Sequence, residues 1–448
     1  MTRFLYTLLM RLVGPIFLLW LWVRHRKSRR EWEIFSAARF GRYADSPPLF
    51  RGESPVWVHA VSLGETRAAQ PLLSALLARG LPVLLTHTTP TGKAEGARLF
   101  RQEIAQGKLQ QAWLLYDFPG ATKRFIQHFS PRCGILIERE VWPNLIQASA
   151  REGVSVLLVS ARFSESSLRR SVWAKRALRR AYAALDLVLA QTAEDAERLR
   201  QVGAHGPHVV GNLKFDVKLS QSQIASGLQW RRAAGRPVIA IASTREGEEE
   251  MFAQAIADIS ATSSLKPLHL LVPRHPQRFP EAANVLERHK LPFARRSLGA
   301  DVPNPNIPVL LGDTLGEMAF YYAAADVAII GGGFAGFGGQ DLIEACAVGT
   351  PVILGPDMHN FAQAAKDAVA GGAAIQVSDA QDAVRAAYDL LQDDVRRDAM
   401  RQAALTWTTA HSGATERILR ALKPWLGPLT NDPQDPKEDL DCESGAQS

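Results

Sequence analysis

Short apolar runs punctuate this chain, and longer amphipathic stretches rich in Ala, Leu and Arg separate them. The runs fall at residues 56–60, 83–86, 112–115, 133–137, 154–159, 187–190 and 209–210. Strands that alternate with helix-length segments in this way form parallel sheets covered by helices on both faces. The pattern restarts at Pro237, with runs at 238–242, 268–272, 309–311, 327–330 and 352–354. The expected fold class is therefore α/β, with two doubly wound domains joined near the polar, helix-prone segment 219–235. Two such domains facing each other would leave a cleft, a preferred place for ligands.

The 448 residues suffice for two or three domains, and 46% hydrophobic with 22% charged residues is an ordinary globular balance. A net charge of +7 suits a phosphorylated substrate or an anionic membrane surface. No helix-turn-helix, RNP motif or zinc finger accompanies it, so nucleic acid is not an expected partner. Cys133, Cys346 and Cys442 are far apart and odd in number. They predict a reducing compartment, no disulfide framework and no metal site, with Cys133 and Cys346 as small core residues.

Residues 4–23 form an apolar stretch about long enough to span a bilayer, broken by Arg11 and Gly14-Pro15 and followed by R-H-R-K-S-R-R at 24–30. Charge after the apolar stretch is the reverse of a cleavable signal, and it places the following domains in the cytoplasm. The helix either spans the membrane or lies in its interface. Residues 1–30 are thus read as an anchor and basic linker, 31–218 and 219–425 as the two Rossmann-like domains, and 426–448 as an acidic, disordered tail.

Several strand ends carry groups able to do chemistry. In V-H-A-V-S-L-G-E-T-R (58–67), a strand delivers Glu65 to the start of a helix. Glu65 is either a base or a first-turn residue favoured by the helix dipole, and the dipole is expected to keep it ionised. T-H-T-T-P-T-G-K (86–93) lacks P-loop spacing and reads mostly as helix capping. E-R-E-V-W-P-N (138–144) places Glu138 and Glu140 at a strand end, as catalytic groups or as members of an ion pair. G-N-L-K-F-D (211–216) sets Lys214 between apolar neighbours, and the bland reading there is a capping turn.

In the second half, four polar loops follow successive strands. S-T-R-E-G-E-E-E (243–250) offers Ser243 and Thr244 as anion contacts, with a solvated run of glutamates beyond. V-P-R-H-P (272–276) offers Arg274 and His275 for a phosphate. G-D-T-L-G-E (312–317) and the Gly-rich 331–345 loop complete the set. Converging on one sheet edge, these loops read as a nucleotide site.

Assembled in this order, the motifs resemble the Kdo (3-deoxy-D-manno-octulosonic acid) transferase family of lipopolysaccharide synthesis, over about residues 24–425. H-A-V-S-L-G-E-T-R-A, T-T-P-T-G, E-R-E-V-W-P-N, S-A-R-F-S (160–164), G-N-L-K-F-D, A-S-T-R-E-G-E-E, V-P-R-H-P and G-D-T-L-G-E carry the resemblance, with the Gly-rich loop that ends in Glu344. It implies a GT-B glycosyltransferase fold, with an acceptor-binding N-terminal domain and a CMP-Kdo-binding C-terminal domain. It also implies inverting transfer of Kdo from CMP-Kdo to the phosphorylated lipid A precursor, lipid IVA. That would take place at the cytoplasmic side of the inner membrane, without cofactor or metal. Carried over, Glu65 is the proton acceptor, while Glu138 (or Glu140) and Lys214 stabilise the transition state. Arg274, His275, Leu315, Gly316, Glu317, Asp341, Leu342, Ile343 and Glu344 contact CMP.

Many family members have His-Asn where this chain has Gln340-Asp341, so the neighbouring CMP contacts would be made differently. Two rival readings are a GT-B enzyme using a UDP-sugar and a membrane-bound nucleotide sensor without catalysis.

Overall fold

The computed structural model describes residues 3–25, 29–44, 47–50, 52–171, 175–299 and 302–427. Residues 26–28 of the basic run, the acidic tail from 428 and Cys442 lie outside the described residues. The chain forms two compact units. The first takes the chain as far as Val217 and again from Gly413, and the second is Lys218–Ser412.

In the first unit the strands are β1 (Val56–His59), β2 (Val83–His87), β3 (Leu109–Trp113), β4 (Cys133–Ile137), β5 (Ser155–Ala161), β6 (Leu187–Ala190) and β7 (His208–Val209). They form one parallel sheet in the order β3-β2-β1-β4-β5-β6-β7. Alternation puts Val56 and Val58 on one face and Trp57 on the other, and each face carries its own core. Every residue of β1, β2 and β4 is buried, and a buried Val or Leu there contributes about 1.5–3 kcal/mol. Gly134 of β4 lies beside Trp57, and a Cβ there would stand 2.5 Å from the indole ring.

In the second unit the strands are β8 (Val238–Thr244), β9 (Leu268–Pro273), β10 (Phe293–Arg295), β11 (Val309–Leu311), β12 (Val327–Ile330), β13 (Val352–Leu354) and β14 (Ala374–Gln376). All are parallel, in the order β10-β11-β9-β8-β12-β13-β14. Strand order reverses between β1 and β4 in the first sheet and between β8 and β12 in the second. Such switch points open a crevice at the strands' C-terminal ends.

Three features depart from the sequence expectations. The edge strands β10 and β14 are three residues each and carry no long apolar run: β10 is half-exposed throughout, and β14 goes from buried Ala374 to exposed Gln376. β3 begins three residues before the expected 112–115, because Gln110 and Gln111 belong to it; Gln111 donates to the Lys93 carbonyl at 3.1 Å. The helix-prone segment 219–235 is, as expected, a helix, Gln221–Ala234, packed against the helix Met318–Ala323 inside the second unit. Finally, the helix Ala414–Leu426 belongs to the first unit, not the second. Its Ile418, Leu419, Leu422 and Leu426 enter the first unit's core. Asp216 caps its start, accepting from Gly413 N at 2.6 Å and from Thr415 N at 2.5 Å.

The N-terminal apolar segment is one helix, Arg3–Arg24, with Pro15 inside it. It is also the one described helix long and apolar enough to cross a membrane. Cys133 and Cys346 are buried, and burial pushes each thiol up to about 12.

Candidate active site

The first unit's crevice is built by the ends of β1 and β4. After β1, Ser62 caps the helix Leu63–Ala78 by accepting from Glu65 N at 3.4 Å. The Glu65 carboxylate folds back and accepts from Val61 N at 2.6 Å. This is a reciprocal capping arrangement. Arg67 is committed elsewhere, donating to the nearly buried Glu95 at 2.6 Å.

After β4, Glu138 is buried and holds a left-handed backbone with φ of +62°. That conformation costs a non-glycine residue about 1–2 kcal/mol. It is kept because the Glu138 N–H and carbonyl still bond β5 and Arg162. Glu140 accepts from Trp142 Nε1 at 3.0 Å.

The three carboxylates act on one another. Burial chiefly, then the charges of Glu138 and Glu140, push the Glu65 carboxyl up to about 8. The Val61 N–H and Arg139 oppose the shift and lose. The expectation that the helix dipole keeps Glu65 ionised is therefore overturned, because desolvation and like charge outweigh it. Glu140 is raised too, mainly by burial, against Trp142 and Arg139. Arg139 is the counter-charge that motif reading passed over; its place between two glutamates was the available signal.

Lys214 lies in a short helical turn, Leu213–Asp216, packed against the helix Leu63–Ala78. Ser160, at the end of β5 with φ of +49°, accepts from Leu213 N at 3.4 Å and so ties this turn to the sheet edge. Lys93 sits over the Trp113 ring at 4.5 Å, in keeping with a structural reading of its motif.

In the second unit the four loops follow β8, β9, β11 and β12, which are adjacent in the sheet. Arg274 donates to Gln340 Oε1 at 3.3 Å, joining the β9 loop to the Gly-rich loop. His275 is held below its ordinary value, chiefly by burial and then by Arg274 and Arg245. It is thus a neutral donor in a field of arginines. Burial would raise Glu317, but bonds from Arg296 and Thr314 win and hold it low. Leu315 is exposed at the loop tip, and Gly316 takes φ of +79°. Asp341 accepts from Ile343 N at 2.9 Å. Asp341, Glu344 and Arg274 all act electrostatically on the buried Tyr322.

Three expectations here need correction. Thr244 is fully buried and its hydroxyl donates to Glu249 at 2.9 Å, so it is no anion contact. Leu342 and Ile343 are core side chains, which leaves only their backbone to face a ligand. Nor are the glutamates of 248–250 a solvated run, since Glu248 and Glu249 are buried. Glu248 accepts from Arg245 N, Gly332 N and Phe334 N at 2.7–2.9 Å, bracing the β8 and β12 loops. Glu249 holds Arg278 at 2.8 Å. Ser243 remains at the β8 end, strained at φ of +61°.

Comparison with known proteins decides what these two edges belong to. Residues 36–217 match the family described as 3-deoxy-D-manno-octulosonic-acid transferase, and residues 303–407 match glycosyl transferases group 1. The chain is 59% identical to the 3-deoxy-D-manno-octulosonic acid transferase of Bordetella pertussis, over 95% of this chain and all of that protein. The chain belongs to the 3-deoxy-D-manno-octulosonic acid transferase family. The enzyme of the same name from Haemophilus influenzae is 31% identical, over 95% of this transferase and 99% of that protein. A glycosyltransferase from Rickettsia africae has the same two-domain fold, with a TM-score of 0.57 at 12% identity. That match covers 84% of this transferase and 99% of the other chain. The transferase is therefore a glycosyltransferase of the two-domain GT-B class.

Proposed function

We propose that the transferase moves Kdo from CMP-Kdo to the phosphorylated lipid A precursor, lipid IVA, with inversion, at the cytoplasmic face of the inner membrane. The family relationship supports the sugar transferred. The observation that carries the mechanism is Glu65, a half-buried carboxyl at the switch point of the first sheet, poised near 8. A base is most effective with its affinity for protons near the working pH.

In this reading the first unit supplies the base. The acceptor hydroxyl gives its proton to the Glu65 carboxylate as its oxygen bonds to the anomeric carbon of Kdo. The bond from that carbon to the phosphate oxygen breaks, its electron pair stays on the phosphate, and CMP departs. Glu138, fixed beside the crevice, stabilises the positive charge that develops on the sugar, a role its burial suits better than that of Glu140, which is held by Trp142. Lys214 offsets the carboxylate of the donor sugar. The second unit holds the donor. Arg274 and neutral His275 take the phosphate with Ser243, and Leu315–Glu317 and Asp341–Glu344 enclose CMP, Leu342 and Ile343 through their backbone.

The test is mass spectrometry of lipid IVA incubated with CMP-Kdo and the purified chain, with Glu65→Gln alongside. The expected result is Kdo addition by the native enzyme. The variant should lose about 10²–10⁴-fold in rate while retaining CMP binding. An active preparation that adds no Kdo to lipid IVA overturns the substrate assignment. Near-normal turnover by Glu65→Gln overturns the base.

A further inference from the structure

The N-terminal helix has two opposed stripes. One faces the protein. Tyr6 donates to Asp117 Oδ2 and Thr7 to Asn144 Oδ1, each at 2.9 Å. Further along the same stripe, Gly14 and Leu18 are buried, and a Cβ on Gly14 would stand 3.2 Å from the Phe118 ring. At the far end His25 stacks on Trp32 at 4.0 Å. Contacts with the first unit from Tyr6 to Leu18 run along about 18 Å of helix. A cavity of about 210 Å³ remains beneath it, walled by Met10, Phe118 and Trp142.

Away from those contacts the helix is apolar and exposed over a broad arc, with a stripe of Leu5, Leu12, Ile16, Leu19 and Val23 at its centre and Leu8, Val13, Phe17 and Trp20 to either side. The neighbouring helix Lys175–Ala183 packs against this one and exposes Arg176, Arg179 and Arg180. An apolar stripe beside a row of guanidinium groups matches an anionic leaflet, with acyl chains under the stripe and headgroups at the arginines.

We infer that this helix lies flat in the cytoplasmic leaflet and does not cross the membrane. A crossing would need about 30 Å of hydrocarbon, nearly all of this 22-residue helix, and so would take in the stretch from Tyr6 to Leu18 that is docked on the protein. The strand-end loops at Asp117 and Asn144 would then sit at membrane depth, where lipid-exposed irregular backbone is not tolerated. Arg11 would be near mid-bilayer, and Pro15 would leave a carbonyl without its helical partner there. Lying flat, Arg11, which is exposed and shares the face of Thr7, Gly14 and Leu18, stays on the protein side of the helix, away from the acyl chains. The inference rests on the membrane location proposed above, and its tests do not depend on Kdo transfer.

The experiment fuses the last strand of a split fluorescent protein to the N-terminus of the full chain in Gram-negative cells. Complementation by a cytosolic detector is expected. Complementation only by a periplasmic detector overturns the inference. The second measurement sediments the purified chain with phosphatidylglycerol vesicles. Leu12→Asp with Ile16→Asp should weaken binding about tenfold or more, while turnover on detergent-dispersed acceptor stays within about twofold. Unchanged vesicle binding overturns the stripe as the membrane contact. So does a stripe-dependent dimer that leaves vesicles unbound. Failure of Kdo transfer by the native chain would count against the proposed function and leave both of these readouts intact.

Discussion

If Glu65 is the base and its carboxyl sits near 8, then kcat/KM must follow its ionisation across neutral pH. The ionised fraction of such a group is about 1% at pH 6, about 9% at pH 7 and half at pH 8. Rate should therefore climb close to tenfold per pH unit from 6, gain about 50-fold by pH 8 and level off above pH 9. A carboxylate ionised by the helix dipole alone would give a flat profile over that range. The neighbours supply the control. Glu138 and Glu140 raise Glu65 by like charge, so Glu140→Gln should move the limb to lower pH, and Arg139→Gln should move it higher. The assay is initial-rate transfer at subsaturating acceptor in constant ionic strength. A profile flat between pH 6 and 8, or a limb that Glu140→Gln leaves in place, would refute the claim that this carboxylate cluster sets the base.

The same carboxyl also tilts stability. Its folded value of about 8 exceeds the ordinary 4.5, so the folded state holds the proton longer and stability falls as pH rises from 4.5 through 8. Denaturant titrations should show Glu65→Gln gaining on the native chain across that window, by at most roughly 4–5 kcal/mol. Glu248→Ala would leave three N–H groups, that of Gly332 buried and those of Arg245 and Phe334 half-buried, without this acceptor; we expect a loss of about 3–5 kcal/mol and a collapse of CMP affinity, read by calorimetry. Gly134→Ala should cost about 1–3 kcal/mol by overpacking Trp57, measured as a lower unfolding midpoint. Asp216→Ala removes the cap of the returning helix and should cost about 0.5–2 kcal/mol in the same assay.

How far the sequence carried depended on the range of the interaction. Central strands such as β1, β4 and β12 were legible because burial on both faces writes an uninterrupted apolar run. β10 and β14 were not, since an edge needs no such run. At the site, strand-end motifs located Glu65, Glu138 and Arg274. Their chemistry was less legible, because it depends on what stands opposite. Nothing local distinguishes Glu248, which braces two loops, from Glu246, which is mostly exposed. Thr244 reads as a phosphate contact until β8 is seen to bury it. The partnership of Tyr6 with Asp117 spans 111 residues, and the period of the apolar segment alone cannot tell a docked helix from a spanning one.

Read through the structure, the two meanings of Glu65 become one arrangement. Ser62 and the Val61 N–H hold the side chain at the head of its helix, as ordinary capping requires. That same hold fixes the carboxylate where β1 and β4 part, within reach of the charges of Glu138, Glu140 and Arg139. A cap in water would stay acidic and serve only the helix. Here the strained backbone at Glu138 brings a second carboxylate against the first, and burial withdraws the solvent that would screen them. The proposed base is thus raised toward neutrality chiefly by burial, and next by the neighbour that the proposed mechanism assigns to the transition state. It follows that Glu138→Gln should cost rate through lost stabilisation and also shift the ionisation of Glu65 downward. A single substitution would then lower the plateau and move the limb, a combined signature that a purely structural Glu138 would not produce.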